Sequence, residues 1–274
     1  MSVSPEPLPP LPRSRLGMAP LDVARECARL ACSIIRETAG AGVAAVKGRG
    51  NVVTETDFAV ERAVFDVLGR HYPDHAILSE ETASAADSDG WLWVVDPLDG
   101  TKNFSRGIPH FAFTIALCFQ HRPLVALTAH PLLGDEFTAV AGQGCALNGQ
   151  PARVRPCPAI ADAVVALDLG YDADRARRQL ELAARLWPGM QSLRITGSAA
   201  LGFAYLAAGR WDLYVHSDLQ PWDVAAGLVL VREAGGEVLD RSGQPATIRS
   251  RAVVAGGIPV LEDFGRLAAG SAWE

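Results

Sequence analysis

Two aspartates stand three positions apart in the stretch WVVDPLDGTKNF, residues 93–104, directly after an apolar run. Carboxylate oxygens are the ligands that hard cations such as Mg²⁺ prefer, usually together with substrate phosphate. A proline between Asp96 and Asp99 stiffens the turn, because its φ angle is restricted and it has no N–H. A short helix starting at Thr101 would present free N–H groups that favour a phosphate. The stretch therefore predicts a cation site beside a phosphate site.

The letters DPLDG are also compatible with a solvated turn in which an aspartate caps a helix. An EF-hand calcium loop is excluded, because its D-x-D-x-D-G spacing is absent. Three further acidic positions favour the metal site: Glu80 of AILSEE, Asp57 of VVTETD and Asp223 of PWDVAAGLVLVREAGG. Each stands at the boundary of a predicted element. Alone, each has an ordinary structural role, since Asp223 is a reasonable helix N-cap.

The composition limits the possible partners. The chain has 274 residues, of which 49% are hydrophobic, enough for one large domain or two joined lobes. Its formal net charge is −6 and it has no long lysine–arginine block, which argues against nucleic-acid binding. No apolar stretch reaches the ~18 residues of a membrane-spanning helix. An anionic substrate would then need local hydrogen-bond donors or metal ions.

The cysteines and the N-terminus indicate the compartment. No C-x-x-C pair occurs among the five cysteines, which are Cys27, Cys32, Cys118, Cys145 and Cys157. This pattern predicts reduced, buried thiols and a cytoplasmic location. The sequence MSVSPEPLPPLPRSRLGMAP is proline-rich and lacks the apolar core of a secretion signal. We therefore expect residues 1–18 to form a disordered extension, with Met18 as an alternative start.

The first half of the chain predicts two helices followed by strands. Apolar residues recur at helical spacing over 21–38, and a second helix begins at about Asp57, after a polar connection at 47–57. Strand patterns cover 76–79, 91–95, 112–119, 124–129 and 137–140. The LNGQ sequence at 147–150 is typical of a hairpin turn. This order predicts a mostly antiparallel sheet.

The second half alternates strands and helices, which indicates an α/β layer. Predicted strands cover 163–168, 191–195 and 211–215, and predicted helices cover 173–186, 198–208 and 222–234. No internal repeat or long linker separates the two halves. We therefore expect an N-terminal α+β lobe, 19–154, that carries most metal ligands. A C-terminal α/β lobe, 155–274, would contribute Asp223 and the substrate side.

The motifs together resemble a known family. WVVDPLDGTKNF, with PWDVAAGLVLVREAGG downstream, resembles the inositol monophosphatase family of Mg²⁺-dependent, lithium-sensitive sugar-phosphate phosphatases. GNVVTETD, LSEE and ITGSAALGFAYLAAGRWDLYV resemble it in the same order. The resemblance covers residues 21–268. It implies a layered α/β/α/β/α sandwich, which is usually a homodimer.

The resemblance also implies a set of ligands for two to three Mg²⁺ ions: Glu80, Asp96, the carbonyl of Leu98, Asp99 and Asp223. The first ion would use Glu80, Asp96 and Leu98. The second ion would use Asp96, Asp99 and Asp223. A weaker third ion would again use Glu80.

The same resemblance implies the catalytic groups. Thr101 and Asp57 resemble the pair that orients and deprotonates the attacking water, and Glu80 is counted with them as catalytic. The N–H groups of Gly100 and Thr101 would hold the phosphate. A phosphate monoester hydrolyses slowly in water because an anion repels the nucleophile, which is why a metal-assisted site suits this reaction.

Three positions depart from the family pattern. Ser79 stands where many members have glycine, with little expected consequence. Lys102 stands where inositol enzymes usually have threonine, and it either meets a second negative group on the substrate or points to solvent. His216 stands where many members have a glutamate that binds polyol hydroxyls; it is either structural or marks a different leaving group. The matching substrate-side loop contains Gly197, Ser198 and Ala199.

The expected function is a Mg²⁺-dependent phosphatase for a small polyol or sugar monophosphate, with inositol-1-phosphate as the default substrate. Histidinol phosphate and fructose-1,6-bisphosphate are alternatives. A 3′-phosphoadenosine 5′-phosphate nucleotidase is disfavoured, because that branch commonly has an acidic residue at the position of Asn103. From another class comes a binding protein of the transcription machinery. The intact metal and water-activating positions argue against a catalytically idle copy.

Overall fold

The computed structural model describes residues 9–39, 45–48, 51–82, 89–271 and 273. Within these ranges the chain forms seven α-helices and fourteen strands, which lie in sheets of two, seven and five strands. No helix in this part of the chain is long and apolar enough to cross a membrane.

The helices are α1 (Pro20–Glu37), α2 (Glu55–His71), α3 (Thr101–Ser105), α4 (Ala173–Leu186), α5 (Ala199–Ala207), α6 (Pro221–Glu233) and α7 (Ile258–Ala268). The strands are β1 (Ala45–Gly48), β2 (Asn51–Val53), β3 (Ala76–Ser79), β4 (Trp91–Asp99), β5 (Ala112–Phe119), β6 (Arg122–His130), β7 (Asp135–Val140), β8 (Gly144–Leu147), β9 (Gln150–Ala152), β10 (Val164–Asp168), β11 (Ser192–Ile195), β12 (Leu213–His216), β13 (Glu237–Asp240) and β14 (Val253–Gly256). The predicted helices α1, α4, α5 and α6 are confirmed to within one residue at each end.

The seven-stranded sheet follows chain order from β3 to β9, and only the β3–β4 pair is parallel. The prediction of a mostly antiparallel sheet is confirmed. Strand β4 extends beyond the predicted range 91–95, because its backbone continues to pair with β5 as far as Asp99. Asp96 and Asp99 therefore lie within the strand, and the expectation that they follow its end is wrong.

Alternate side chains of the strands enter different cores, which produces the layers. On β4, Trp93 packs with α1 and α2, whereas Leu92 packs with α5 and α6. On β12, Tyr214 packs with α5 and α6, whereas Val215 packs with α4 and α7. Two sheets thus enclose one pair of helices and are covered by two outer pairs. The predicted α/β/α/β/α order is confirmed.

The five-stranded sheet has the order β11-β10-β12-β14-β13. Strand β10 is parallel to β11 and β12, whereas β14 is antiparallel to β12 and β13. The strand–helix alternation through α6 is confirmed. Strands β13 and β14 are not among the strands predicted from the sequence. Helix α7 is not among the predicted helices either, although Val260, Leu261 and Phe264 form a buried side at helical spacing.

Residues 9–18 pack against the rest of the protein, so the prediction of a disordered extension over 1–18 is wrong for them. Ser14 is buried, and its Oγ accepts the N–H of Met18 at 3.0 Å. The same oxygen lies 3.2 Å from Nδ1 of His71. Met18 packs on the core beneath α1 and α2. These contacts offset the loss of conformational entropy that accompanies the ordering of this segment. The first eight residues lie outside the described part of the chain.

The division into lobes 19–154 and 155–274 stays a prediction. The core between the two sheets takes side chains from both sides of that boundary, such as Leu92 and Leu201. The two halves therefore bury apolar surface against each other. This shared core fits the absence of a long linker between the two halves.

The contact between α5 and α6 depends on a glycine. A Cβ atom at Gly227 of α6 would lie 2.4 Å from Cγ of Phe203 in α5, too close for the ring to avoid by rotation. We expect Gly227→Ala to lower the free energy of unfolding by about 1–3 kcal/mol through overpacking. Urea unfolding followed by circular dichroism measures this change.

Gly265→Ala is the matched control, because Gly265 lies in α7 with no atom within 4 Å of the added Cβ. Alanine is favoured over glycine inside a helix by up to about 1 kcal/mol, so this variant should be as stable as the wild type or more stable. Equal midpoints for both variants would contradict the close helix contact.

Candidate active site

The two aspartates of β4 flank a break in the sheet register. Asp96 pairs with Thr114 and Asp99 pairs with Ala112, so the ladder is interrupted between them. The proline at this point cannot donate to the ladder, and the N–H of Leu98 instead donates to Oδ1 of Asp96 at 3.0 Å. Both aspartates are buried. The bulge thus places two carboxylates and one carbonyl group in a short segment.

Gly100 turns the chain from β4 into α3. Its φ angle is +86°, in the left-handed region that glycine adopts without strain. A Cβ atom there would lie 3.0 Å from the carbonyl oxygen of His110 and 3.2 Å from that of Gly197. A larger residue at this position would therefore displace both neighbouring backbone segments.

The third carboxylate comes from the second half of the chain. Asp223 lies in the first turn of α6, where the N–H of Gln220 donates to its Oδ2 at 2.6 Å. Ligand atoms of Asp96, Asp99 and Asp223 all lie within 4.8 Å of one another. Three hard oxygen donors at this spacing fit a divalent cation such as Mg²⁺. The residues present thus fit a metal site.

The electrostatics of this cluster also favour a cation. Burial, followed by repulsion from Glu80, raises the pKa of Asp96 well above its usual range. Burial and then Asp99 raise the pKa of Asp223 in the same direction. Burial raises the pKa of Asp99 to about 6, although hydrogen bonds oppose the shift. A bound cation would reduce the electrostatic repulsion among these buried carboxylates.

The cluster opens into a cavity of about 480 Å³. Glu80, which follows β3, lines this cavity and is half-buried. Leu98 lines it as well. Every metal ligand expected from the sequence therefore faces one cavity. Their individual roles as ligands stay predictions.

The threonine–aspartate pair is assembled beside the cluster. Thr101 Oγ1 lies 3.2 Å from Oδ1 of Asp57 and 2.9 Å from the carbonyl oxygen of Leu98. Oδ2 of Asp57 accepts the N–H of Thr54 at 2.8 Å and its hydroxyl at 2.5 Å. The single hydroxyl proton of Thr101 serves one of two acceptors, so its lone pairs stay available to a water molecule. Thr54, which sequence reasoning missed, fixes the orientation of Asp57.

The substrate-side loop contacts the carboxylate cluster directly. The N–H groups of Ala199 and Ala200 donate to Asp99 at 3.1 and 3.0 Å, and the hydroxyl of Ser198 donates to the same side chain. Gly197, Ser198 and Ala199 all line the cavity. Substrate contact by these residues stays a prediction, because the Ser198 hydroxyl and the Ala199 N–H bind Asp99 and the Gly197 N–H binds Asp168 in this structure.

Asp168, which sequence reasoning missed, holds the same loop through hydrogen bonds to its backbone. It is buried at the end of β10 and accepts the N–H groups of Thr196 at 2.9 Å and Gly197 at 2.5 Å. The hydroxyl of Tyr214 donates to it at 3.1 Å. An acidic residue that ends an apolar strand in VVALDLG was the available signal.

Asn103 ties the loop to the turn after α3. Its Nδ2 donates to the carbonyl oxygens of His110 and Thr196, both at 2.8 Å. In the sequence, Asn103 serves only as an argument against a nucleotidase. The structure shows that its amide group joins two backbone segments, which an aspartate with acceptor oxygens alone cannot do.

The remaining predicted residues lie on another wall of the cavity. His216 is buried at the end of β12, and its Nδ1 accepts the N–H of Asp218 at 3.0 Å. Nζ of Lys102 lies 5.0 Å from the centroid of the Tyr171 ring. The cavity also includes Trp222. Sequence reasoning missed Tyr171 and Asp218, and also Trp222, although Trp222 stands beside Asp223 in the PWDVAAGL motif.

Comparison with known proteins agrees with this geometry. The model of the inositol monophosphatase family matches residues 19–270. The Nus factor SuhB of Escherichia coli (strain K12) is 38% identical over 247 residues, which cover 88% of this chain and 92% of that protein. Inositol monophosphatase 2 of Solanum lycopersicum is 38% identical over 244 residues, which cover 86% of this chain and 92% of that protein.

A solved structure is also similar to this chain over most of its length. The extragenic suppressor protein suhB from Bartonella henselae superimposes with a TM-score of 0.84 at 31% identity, over 91% of this chain and 98% of that one. The chain therefore belongs to the inositol monophosphatase family.

Proposed function

We propose that this protein is a Mg²⁺-dependent phosphomonoesterase for a small polyol or sugar phosphate. The observation that supports it most is the convergence of Asp96, Asp99 and Asp223 beside the Thr101–Asp57 pair. The family is generally metal-dependent. Inositol-1-phosphate is the first substrate to test, and histidinol phosphate and fructose-1,6-bisphosphate are the alternatives.

Five groups would hold two to three ions: Glu80, Asp96, the Leu98 carbonyl, Asp99 and Asp223. Bound Mg²⁺ supplies neutralisation of phosphate charge and a lowered pKa for the attacking water. The Leu98 carbonyl would be shared with the Thr101 hydroxyl, 2.9 Å away. The first-turn N–H groups of α3 have no intrahelical partners, so those of Gly100 and Thr101 would hold the phosphate oxygens.

Thr101 and Asp57 would activate the water. The Thr101 hydroxyl accepts a hydrogen bond from the water, while its own proton points towards Oδ1 of Asp57, 3.2 Å away. Burial raises the pKa of Asp57, which makes it a better proton acceptor. The bond between the water oxygen and phosphorus would form as the ester P–O bond breaks, and the proton of the attacking water would pass through Thr101 to Asp57. The leaving alkoxide would take a proton from a solvent water, and the hydroxide formed there would be neutralised by the proton that Asp57 releases.

A binding role with the transcription machinery is the second candidate. The E. coli relative is named a Nus factor, which is the observation that favours it. The assembled Thr101–Asp57 pair favours catalysis, because a binding surface has no need of it. A homodimer and a cytoplasmic location stay predictions. Phosphate release at a millimolar or lower KM distinguishes the two candidates.

We expect Thr101→Ala and Asp96→Asn each to lower kcat by about 10²–10⁴-fold, because the first removes the proton path and the second a shared ligand. Phosphate release from inositol-1-phosphate with Mg²⁺ measures the effect. Thr101→Ser keeps the hydroxyl and should recover most of the activity. Circular dichroism of each variant serves as the folding control. Near-normal turnover in either loss variant would refute the assigned role.

The metal-free protein should lose stability as the pH rises. Burial raises the pKa of Asp99 to about 6 in the folded state, against about 3.9 for an unfolded aspartate. The folded state binds this proton more tightly, so stability is lost between about pH 4 and about pH 6 and stays lost above it. The difference in melting temperature between wild type and Asp99→Asn isolates this carboxyl from the histidines.

Mg²⁺ should reverse that loss. At about pH 7.5 and about 5 mM Mg²⁺, we expect the melting temperature of the wild type to rise by several degrees, because the ion binds only the folded state. The rise should be smaller in Asp99→Asn. An unchanged melting curve, or a wild-type pH profile that matches that of the variant, would contradict the metal cluster.

A further inference from the structure

One wall of the cavity contains none of the expected metal ligands and is built by a chain of contacts. Nζ of Lys102 lies 5.0 Å from the Tyr171 ring centroid. The Tyr171 N–H donates to Oδ2 of Asp218 at 3.2 Å, and the Asp218 N–H donates to Nδ1 of His216 at 3.0 Å. All four residues line the cavity. We call Lys102, Tyr171, Asp218 and His216 the distal wall.

The hydrogen bond to His216 determines which group this side chain offers. Because Nδ1 accepts the N–H of Asp218, the ring carries its proton on Nε2. His216 lines the cavity, and the Nε2–H group is the one hydrogen-bond donor that its neutral ring can offer to a ligand there. A glutamate at this position would act only as an acceptor, so the two residues select opposite partners.

The carboxylates of this part of the cavity are saturated by the protein itself. Asp218 accepts four hydrogen bonds, from the N–H groups of Tyr171 and Asp172 and from the guanidinium groups of Arg175 and Arg251. Asp168 accepts the two N–H groups and the tyrosine hydroxyl described above. Asp218 thus has no acceptor site left for a substrate hydroxyl or ammonium group, and Asp168 is engaged mainly by groups of the protein.

Lys102 adds an uncompensated positive charge. Among the described residues it forms no ion pair, and its contact is the face of the Tyr171 ring. The distal wall thus offers one cation, one N–H donor and the ring and hydroxyl of Tyr171, but no carboxylate that the protein leaves free. An anionic group satisfies both polar members of this wall, since ionic hydrogen bonds are the strong ones.

We propose that the leaving group of the substrate carries a second anionic group, a carboxylate or a phosphate, which Lys102 and His216 bind. This proposal rests on the proposed phosphatase function. It ranks a bisphosphate or a phosphorylated hydroxy acid above a neutral polyol phosphate. It ranks histidinol phosphate lowest, because the wall repels a cationic leaving group.

Matched substrate pairs test the proposal with the Mg²⁺-loaded full chain. Glycerol-2-phosphate and 2-phosphoglycerate differ by one carboxylate, and fructose-1-phosphate and fructose-1,6-bisphosphate differ by one phosphate. We expect kcat/KM to be about tenfold higher for the anionic member of at least one pair, chiefly through KM. The pair that shows the preference identifies whether a carboxylate or a phosphate is bound.

Variants then assign the preference to the wall. Lys102→Met and His216→Glu should each raise KM for the anionic member at least about fivefold more than for the neutral member. Lys102→Arg should restore the preference, because it restores the charge. Arg106→Met is the matched control, because Arg106 ends the same short helix but does not line the cavity.

Equal kcat/KM for both members of each pair in the wild type would overturn the proposal. An equal loss on both members in Lys102→Met would overturn it too, since it places the lysine on the reacting phosphate. The underlying phosphatase function is checked separately with p-nitrophenyl phosphate and Asp96→Asn. If no substrate is turned over, the phosphatase function fails and the proposal fails with it.

Discussion

Several carboxylates must be buried together in this molecule, although water would solvate each of them better. The fold meets this constraint with the N-terminal ends of helices. Asp57 and Asp223 occupy the first turns of α2 and α6, where each accepts a backbone N–H. Asp99 accepts the first N–H groups of α5. Helix N-termini carry partial positive charge. The N-termini of three helices therefore stabilise these buried carboxylates.

The positions of those helices depend on packing far from the cavity. Helices α5 and α6 lie between the two sheets, and the close approach of Gly227 to Phe203 sets their separation. Gly202 similarly lets α5 approach the Tyr214 ring of β12. The hydroxyl of Tyr214 also donates a hydrogen bond to Asp168. Direct contacts therefore link the core between the two sheets to the substrate-side loop. Small residues in these helices therefore serve the geometry of the site as well as stability.

The cavity contains two chemically different sets of groups. The β4 bulge supplies oxygen acceptors, which suit cations, whereas Lys102 and His216 supply donors. A phosphate ester with a negatively charged leaving group would match both sets. Relatives named SuhB and relatives named inositol monophosphatase have similar sequence identity to this chain. Overall similarity therefore does not indicate the substrate, and individual residues such as Lys102 and His216 have to be considered.

Apolar periodicity predicted most helices and the mostly antiparallel sheet, and the motifs that resemble the family implied the acidic cluster of Asp96, Asp99 and Asp223. The tertiary structure sets which donors each carboxylate receives, since no motif shows that Asp168 meets the loop at 196–197 or that Thr54 donates to Asp57. It also ordered residues 9–18 through contacts with distant residues such as His71. The physical reason is that hydrogen bonds and burial depend on which segments meet, whereas periodicity reports only one segment at a time.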